Sequence, residues 1–291
     1  MVEFLLLSLG GVRLGAIYAL AAIGLVVIHK ATRTVNFAHG AFIMLGAYGA
    51  FLGVERWGMP YWLVYVVVPV AVGAIAMAFE FLVLRRLRLA DAFSVVITTV
   101  FASLLITEWI RIVFESESLT VPPVFSGSPW IVGSVIVTRE TAWIVAGAFL
   151  SGVAGVYLFS RAGIGRAMRA MSANIRGAQL CGYSVNVVYA QAWLLGGGLA
   201  GLAGVFAAPR FGVSPDLAAA TIIPAFVAAI IGGFDSPKGA ILGGLLLGLL
   251  ETYSAAFLPA AFKNAFTFIL LLGALLTMPD GLFPERKARH V

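Results

Sequence analysis

The sequence predicts an all-α fold: a polytopic membrane helix bundle of eight or nine spans. Three observations predict it. Hydrophobic residues make up 61% of the 291 positions and charged residues 11%, whereas a soluble domain is about 45–50% apolar and about 25% charged. The apolar residues gather into runs close to the ~20 residues that a helix needs to cross the hydrocarbon core. Many of the 33 glycines fall four residues apart, the spacing at which membrane helices pack backbone to backbone.

The first run covers 4–28 and carries Arg13 inside it. The opening, MVEFLLLSLGG, has no basic n-region, so it reads as the start of a retained helix rather than a cleaved signal. Residues 29–40, HKATRTVNFAHG, are a polar break before a second run at 37–54. Runs at 61–84, 93–114 and 141–160 follow. The last comes after a connection from Glu115 to Glu140 that is rich in Pro, Ser and Gly and too short for a folded domain. Further runs lie at 190–208, 219–233, 239–257 and 264–279. The run at 219–233 is short and holds Pro224. A full crossing, a re-entrant loop and a broken helix all stay open there. The whole chain, 1–291, is expected to form one transmembrane domain with a polar loop at 161–189.

Basic residues orient the bundle, because Lys and Arg collect in cytoplasmic loops. Lys30, Arg33, Arg85, Arg86, Arg88, Arg161, Arg166, Arg169, Arg176, Lys238, Arg286, Lys287 and Arg289 fall on one side. Arg56, Arg111, Arg139, Arg210 and Lys263 fall on the other. The first set is placed in the cytoplasm. That puts the N-terminus outside and the C-terminus inside, and favours nine crossings. The net charge of +6 is spread between apolar runs, so it reads as a topology signal and not as a nucleic-acid surface. The single cysteine, Cys181, excludes an internal disulfide and any multi-cysteine metal site.

The pairs Gly11/Gly15, Gly49/Gly53, Gly197/Gly201, Gly239/Gly243 and Gly244/Gly248 are expected to be packing seams. Charges inside spans are rarer and point to function. Glu108 lies within the fourth run, and a pairing with Arg13 across the bundle is left open by the sequence; Glu80 and Glu251 lie nearer span ends, with Arg85 and Arg86 near enough to pair with Glu80.

Within 161–189, Ile164, Met168, Met171 and Ile175 are spaced as one helical stripe. Arg166, Arg169 and Arg176 point elsewhere, Gly182 is a helix stop and Asn186 belongs to the return turn. Two readings fit. One is a surface helix with its arginines toward lipid phosphates. The other is a docking helix whose Met and Ile side chains fill a partner's groove.

The break also admits two readings. Asn36 caps the next helix and His39 bonds a backbone carbonyl. Alternatively, Asn36, Phe37, His39 and Gly40, with Glu108, line a gate or pathway, since irregular backbone at membrane depth is tolerated where it is buried or lines a cavity. His29 and His39 have no acidic or Cys companions at ligand spacing, so no metal site is expected. The chain holds no Gly-x-x-x-x-Gly-Lys-Ser/Thr loop, Gly-x-Ser-x-Gly elbow or His-Glu-x-x-His pair. ATP hydrolysis and hydrolase chemistry by this chain are therefore not expected. A facilitator working down a gradient and a non-transporting scaffold remain compatible with composition.

The ordered set TVNFAHGAFIMLGAY, RAMSANIRGAQLCGYSVNVVYAQAWLLGGGLAGLAGVFAAP, AAIIGGFDSPKGAILGGLLLGLLE, FKNAFTFILLLGALL and MPDGLFP resembles the permease subunits of branched-chain amino acid ABC importers, LivH-like branch, from about Gly11 to Pro284. The resemblance implies an importer permease architecture in a bacterial inner membrane. It also implies a second permease subunit, two cytoplasmic ATPase subunits that hold ATP and Mg, and a periplasmic binding protein. This chain would bind no cofactor of its own. Residues Arg166, Met168, Arg169, Met171, Asn174, Ile175 and Gly182 fall in the loop that couples such permeases to their ATPases. Permeases for urea, short amides and other amino acids share the pattern. Cys181, Asp235-Ser-Pro-Lys238 and Arg13 depart from it. On this reading, Gly182→Pro or charge reversal at Arg169 lowers ATP-coupled uptake in membrane vesicles with little effect on membrane insertion.

Overall fold

The computed structural model describes residues 2–87, 91–114, 119–125, 127–132, 135–259, 262–278 and 280–283. Arg88, Glu115, Arg286, Lys287 and Arg289, used above for topology, lie outside the described residues. The described helices are α1 (Val2–Thr32), α2 (His39–Phe51), α3 (Tyr61–Leu82), α4 (Ala92–Val113), α5 (Arg139–Arg161), α6 (Gly163–Ala173), α7 (Ile175–Leu180), α8 (Val185–Phe211), α9 (Leu217–Gly232), α10 (Pro237–Phe257) and α11 (Lys263–Thr277). A π-helical turn, Leu52–Arg56, extends α2, and a 3-10 turn, Leu84–Leu87, follows α3. Six helices, α1, α3, α4, α5, α8 and α10, are long and apolar enough to cross a membrane, the α3 span continuing to Leu87 and the α4 span beginning at Phe93; α9 and α11 are shorter apolar helices. This is a multi-pass membrane bundle. One departure from pure helix is a small antiparallel hairpin of β1 (Trp130–Val132) and β2 (Val135–Val137). Its strands are rich in β-branched Ile and Val, which favour extended backbone.

α1 is the hub. Every residue from Gly15 to Ile28 is buried, as expected of a helix that is apolar all round. It packs against α10, α8, α5 and α9. The glycine pairs make these contacts possible. Gly11 and Gly15 on α1 face Gly244 and Gly248 on α10, and a Cβ on Gly15 would lie 2.7 Å from Leu245 Cα. Gly239 and Gly243 on the same α10 face Gly232 and Ala228 on α9. Gly197 and Gly201 on α8 face Ala76 and Val72 on α3, and Gly49 and Gly53 face Val68 and Val64 of α3. Without a hydrophobic drive between helices in lipid, this close approach supplies the dispersion contacts that hold them together.

α9 is one helix despite Pro224. Asp216, before its first turn, is 3.3 Å from Arg111 near the end of α4. Asp235, just past its last turn, is 3.1 Å from Arg33 at the end of α1. α9 therefore links the two ends of the bundle, over about 24 Å at 1.5 Å per residue.

The outer helices are attached differently. α4 exposes Phe93, Phe101, Leu105, Trp109 and Ile112, and its principal helical neighbour in the chain is α2. Gly15→Leu should prevent α1 and α10 from closing, an overpacking cost of roughly 1–3 kcal/mol or more. Gly273→Leu on α11, where a Cβ meets nothing within 4 Å, should be neutral. Thermal unfolding of the two purified variants checks the contrast, and equal melting would contradict the seam.

Candidate functional site

The break between α1 and α2 is built from buried polar groups. α1 ends at Arg33, whose φ of 56° turns the chain while its N–H still donates to the His29 carbonyl at 2.7 Å. Asn36 is fully buried. Its Oδ1 accepts the Ala38 N–H at 3.0 Å, an Asx turn that leads the chain into α2. His39 opens α2 and is fully buried as well. Its Nε2 lies 2.9 Å from the Ala21 carbonyl in the middle of α1. A carbonyl only accepts, so Nε2 carries the proton. Asn36 Nδ2 and His39 Nδ1 are buried without a hydrogen-bond partner among the described residues. The ring has room only because α1 carries Gly24 there, where a Cβ would sit 2.9 Å from His39 Cε1. Gly40 gives α9 the same access, since its Cβ would lie 2.9 Å from Ile222 Cβ.

Phe37 is partly exposed. Its N–H donates to Thr99 Oγ1 on α4 at 3.2 Å, and its ring stacks on Phe226 of α9 at 5.1 Å. Phe226 stacks on Phe234 at 5.8 Å, and His29 meets Phe234 edge-on at 4.6 Å. A ladder of rings therefore joins the break to the end of α1 along α9. Beside it, Lys30 Nζ donates to the Asp235 carbonyl at 2.6 Å, and Arg33 donates to the Asp235 carboxylate at 3.1 Å and to the Ser172 carbonyl at 3.3 Å. The unusual Asp235 thus supplies the anchor for Arg33.

Glu108 is not part of this group. It lies on α4 beyond Thr99, about 13 Å further along the helix axis, and pairs with Arg111 at 3.3 Å on an exposed face. The pairing with Arg13 that the sequence left open is not formed: Arg13 Nη1 donates to Thr141 Oγ1 at 3.2 Å, in the first turn of α5. Glu108 prefers the cation one helical turn away on its own helix.

The loop 161–189 is two helices, and the stripe read from the sequence is split. Asn174 adopts an extended backbone and its Oδ1 accepts the Gly177 N–H at 2.9 Å. This N-cap ends α6 and starts α7. Met168 and Met171 are buried against α1, α5 and α8 residues such as Ala31, Phe159 and Val188. They are core, and do not offer themselves to a partner's groove. Ile175, across the break, is exposed. Arg169 donates to the Phe159 carbonyl and lies 5.7 Å from the Phe159 ring centroid, so its reversal would disturb the packing of α6 as well as any docking. Arg166 donates to the Arg161 carbonyl at 3.2 Å on the exposed side. Gly182 has φ of 85°, a turn that disfavours other residues, and Asn186 belongs to the first turn of α8 rather than to the return. Sequence periodicity missed Leu180, which is 90% exposed, and Tyr183 beside it. An apolar side chain so exposed at a helix end marks a protruding tip, and no spacing rule announces it.

These features define a multi-pass membrane protein with one internally anchored helix break and a protruding short helix at the same end of the bundle. The chain belongs to the family of branched-chain amino acid transport system permease components, which matches residues 7–275. It is 31% identical to the high-affinity branched-chain amino acid transport system permease protein LivH of Escherichia coli, over 99% of this chain and 98% of that protein. It is 29% identical to the permease protein BraD of Pseudomonas aeruginosa, over 97% of this chain and 96% of that one. It is also 29% identical to the autoinducer 2 import system permease protein LsrC of Klebsiella pneumoniae, over 57% of this chain and 52% of that protein. No solved structure matches the chain.

His39→Ala removes the bond to Ala21 and empties a closed site. It should lower stability by on the order of 1–3 kcal/mol, whereas Phe37→Ala, at a partly exposed ring, should cost less. Melting of both variants in one detergent checks the order, and the reverse order would contradict the anchoring of the break.

Proposed function

We propose that this chain is the transmembrane permease subunit of an ATP-binding cassette importer for branched-chain or other hydrophobic amino acids. The observation that carries the reading is the full-length relationship to LivH. The substrate class follows from the names of LivH and BraD, which cover almost the whole chain, in preference to LsrC, which covers about half.

On this reading the α6–α7 end faces the cytoplasm of an inner membrane, with the C-terminus on the same side. Two ATPase subunits bind and hydrolyse ATP with Mg there. α7 and its following turn, with Leu180 and Tyr183 exposed, dock into them. α6, locked by Met168 and Met171, carries the motion into α1, α5 and α8. A second permease subunit packs on the apolar face that α4 leaves open. Substrate released by a periplasmic binding protein then passes between the two subunits, beside the break of Asn36, Phe37, His39 and Gly40. Glu108 sits nearer the outer end, where it meets the arriving substrate or the second subunit. Alternating access arises because the break and its ladder of rings tie α1, α2 and α9 into one unit that moves with α6.

Two measurements test the reading. Affinity purification of the tagged chain from its native membrane should bring two ATPase chains and a second permease. Leu180→Asp should then reduce ATP-dependent leucine uptake into proteoliposomes of the assembled complex at least tenfold, with normal insertion and subunit yield for the isolated chain. A chain that purifies alone in several detergents and carries solute without ATP would replace the importer with a facilitator.

A further inference from the structure

A partly enclosed cavity of about 610 Å³ lies where the last turn of α5 meets α6, the start of α10 and the chain after α11. Its polar wall comes from three of these elements: Ser160 of α5, Arg169 of α6, and Ser236 and Lys238 at the start of α10. Phe159, Leu282 and Phe283 supply the apolar side. No Asp or Glu is among the described residues that line it. The Asp235 carboxylate, next in the chain to Ser236, is held by Arg33 at 3.1 Å. Arg169 is fixed by its bond to the Phe159 carbonyl, which occupies one of the five guanidinium N–H groups. Ser236 is 7% exposed, and its Oγ accepts the Gly239 N–H at 3.1 Å while its own hydrogen has no acceptor among the described residues. Lys238 is exposed.

We propose that this cavity holds the phosphate group of an anionic phospholipid, between Arg169 and Lys238 and with the Ser236 hydroxyl donating to it. Two cations and a buried donor share the space with no carboxylate between them. A phosphate accepts from all three, and its bonds to Arg and Lys are charge-assisted. The place in the fold selects a lipid over a soluble phosphate. α5 and α10 are both long and apolar enough to cross a membrane, and the cavity sits at the last turn of one and the first turn of the other. That is the level of the headgroups, where basic pockets between spans take lipid phosphates. Leu282 and Phe283 are 40% and 46% exposed there, and α11, which leads to them, exposes Leu272, Leu275 and Leu276. The acyl chains therefore have an apolar path away from the phosphate. A bound phosphate ties α6 to α10, the main partner of α1. That the leaflet is the cytoplasmic one rests on the orientation proposed above; the binding itself does not.

The test uses the full-length chain in a neutral detergent and native mass spectrometry, with dioleoylphosphatidylglycerol, dioleoylphosphatidylcholine and inorganic phosphate as probes. The chain should retain one phosphatidylglycerol at least tenfold more tightly than phosphatidylcholine, and phosphatidylglycerol should raise its melting temperature. Lys238→Glu should remove both effects, and Lys238→Arg should keep them. Arg86→Gln, which removes a charge from the turn after α3 and lies outside the cavity, should leave them unchanged. If Lys238→Glu does not fold, Lys238→Gln carries the test. Equal retention of the two lipids, a preference untouched at Lys238, or an equal loss in Arg86→Gln would each overturn the proposal. Displacement of phosphatidylglycerol by inorganic phosphate would overturn it too, since the cavity would then take the soluble ion. None of these readouts depends on ATP or transport, so a failed importer assignment and a failed lipid site remain separate results.

Discussion

The fold depends on backbone meeting backbone. In water, a helix is driven to its neighbours by apolar side chains; in lipid that drive is absent, and contact has to come from shape. α1 is therefore surrounded through positions without side chains. Gly11 and Gly15 admit α10, and Gly24 admits both α8 and the His39 ring. α10 then uses a second pair, Gly239 and Gly243, to hold α9. A chain of seams runs from α1 through α10 to α9, and α9 joins the two ends of the bundle. Displacing one seam displaces the elements that position the break.

The polar groups of the break follow from the same constraint. Asn36 and His39 sit inside the packed bundle, where an unsatisfied polar atom is costly. Each spends one atom locally: Asn36 on the turn, His39 on the Ala21 carbonyl. Asn36 Nδ2 and His39 Nδ1 are left buried without a hydrogen-bond partner among the described residues. Lys30, Arg33 and Asp235 give the end of α1 a polar clamp beside the rings of His29 and Phe234. Its Arg33–Asp235 ion pair is substantially exposed, so it is worth less than about 1 kcal/mol. It fixes direction more than it adds stability.

Much of the bundle was legible from apolar runs. The runs 61–84, 93–114 and 239–257 correspond to α3, α4 and α10 within a few residues. α8 begins earlier than its apolar run because Asn186 and Tyr189 are polar yet helical. The glycine pairs were legible as seams, but their partners were not, since spacing within one helix says nothing about the helix opposite. At the loop, a 3.6-residue period read through Asn174 as if the helix continued, whereas a side-chain cap restarts the helix and turns Ile175 outward. Whether Arg13 and Glu108 pair was likewise not legible. Sequence shows which charges exist, and only the fold shows that Arg111 and Thr141 are nearer.

The central place of α1 also sets a schedule. Its main partner α10 is encoded some 230 residues later, Gly15 against Leu245. At about 5–20 residues per second, the ribosome needs roughly 10–50 seconds to deliver it. For that interval the helix that later becomes the most buried stands in lipid or in the insertion machinery, with its glycine face uncovered. An all-round apolar surface suits that wait as well as it suits the finished interior. The first segment made is among the last to be enclosed, and the bundle closes around a helix that was already there.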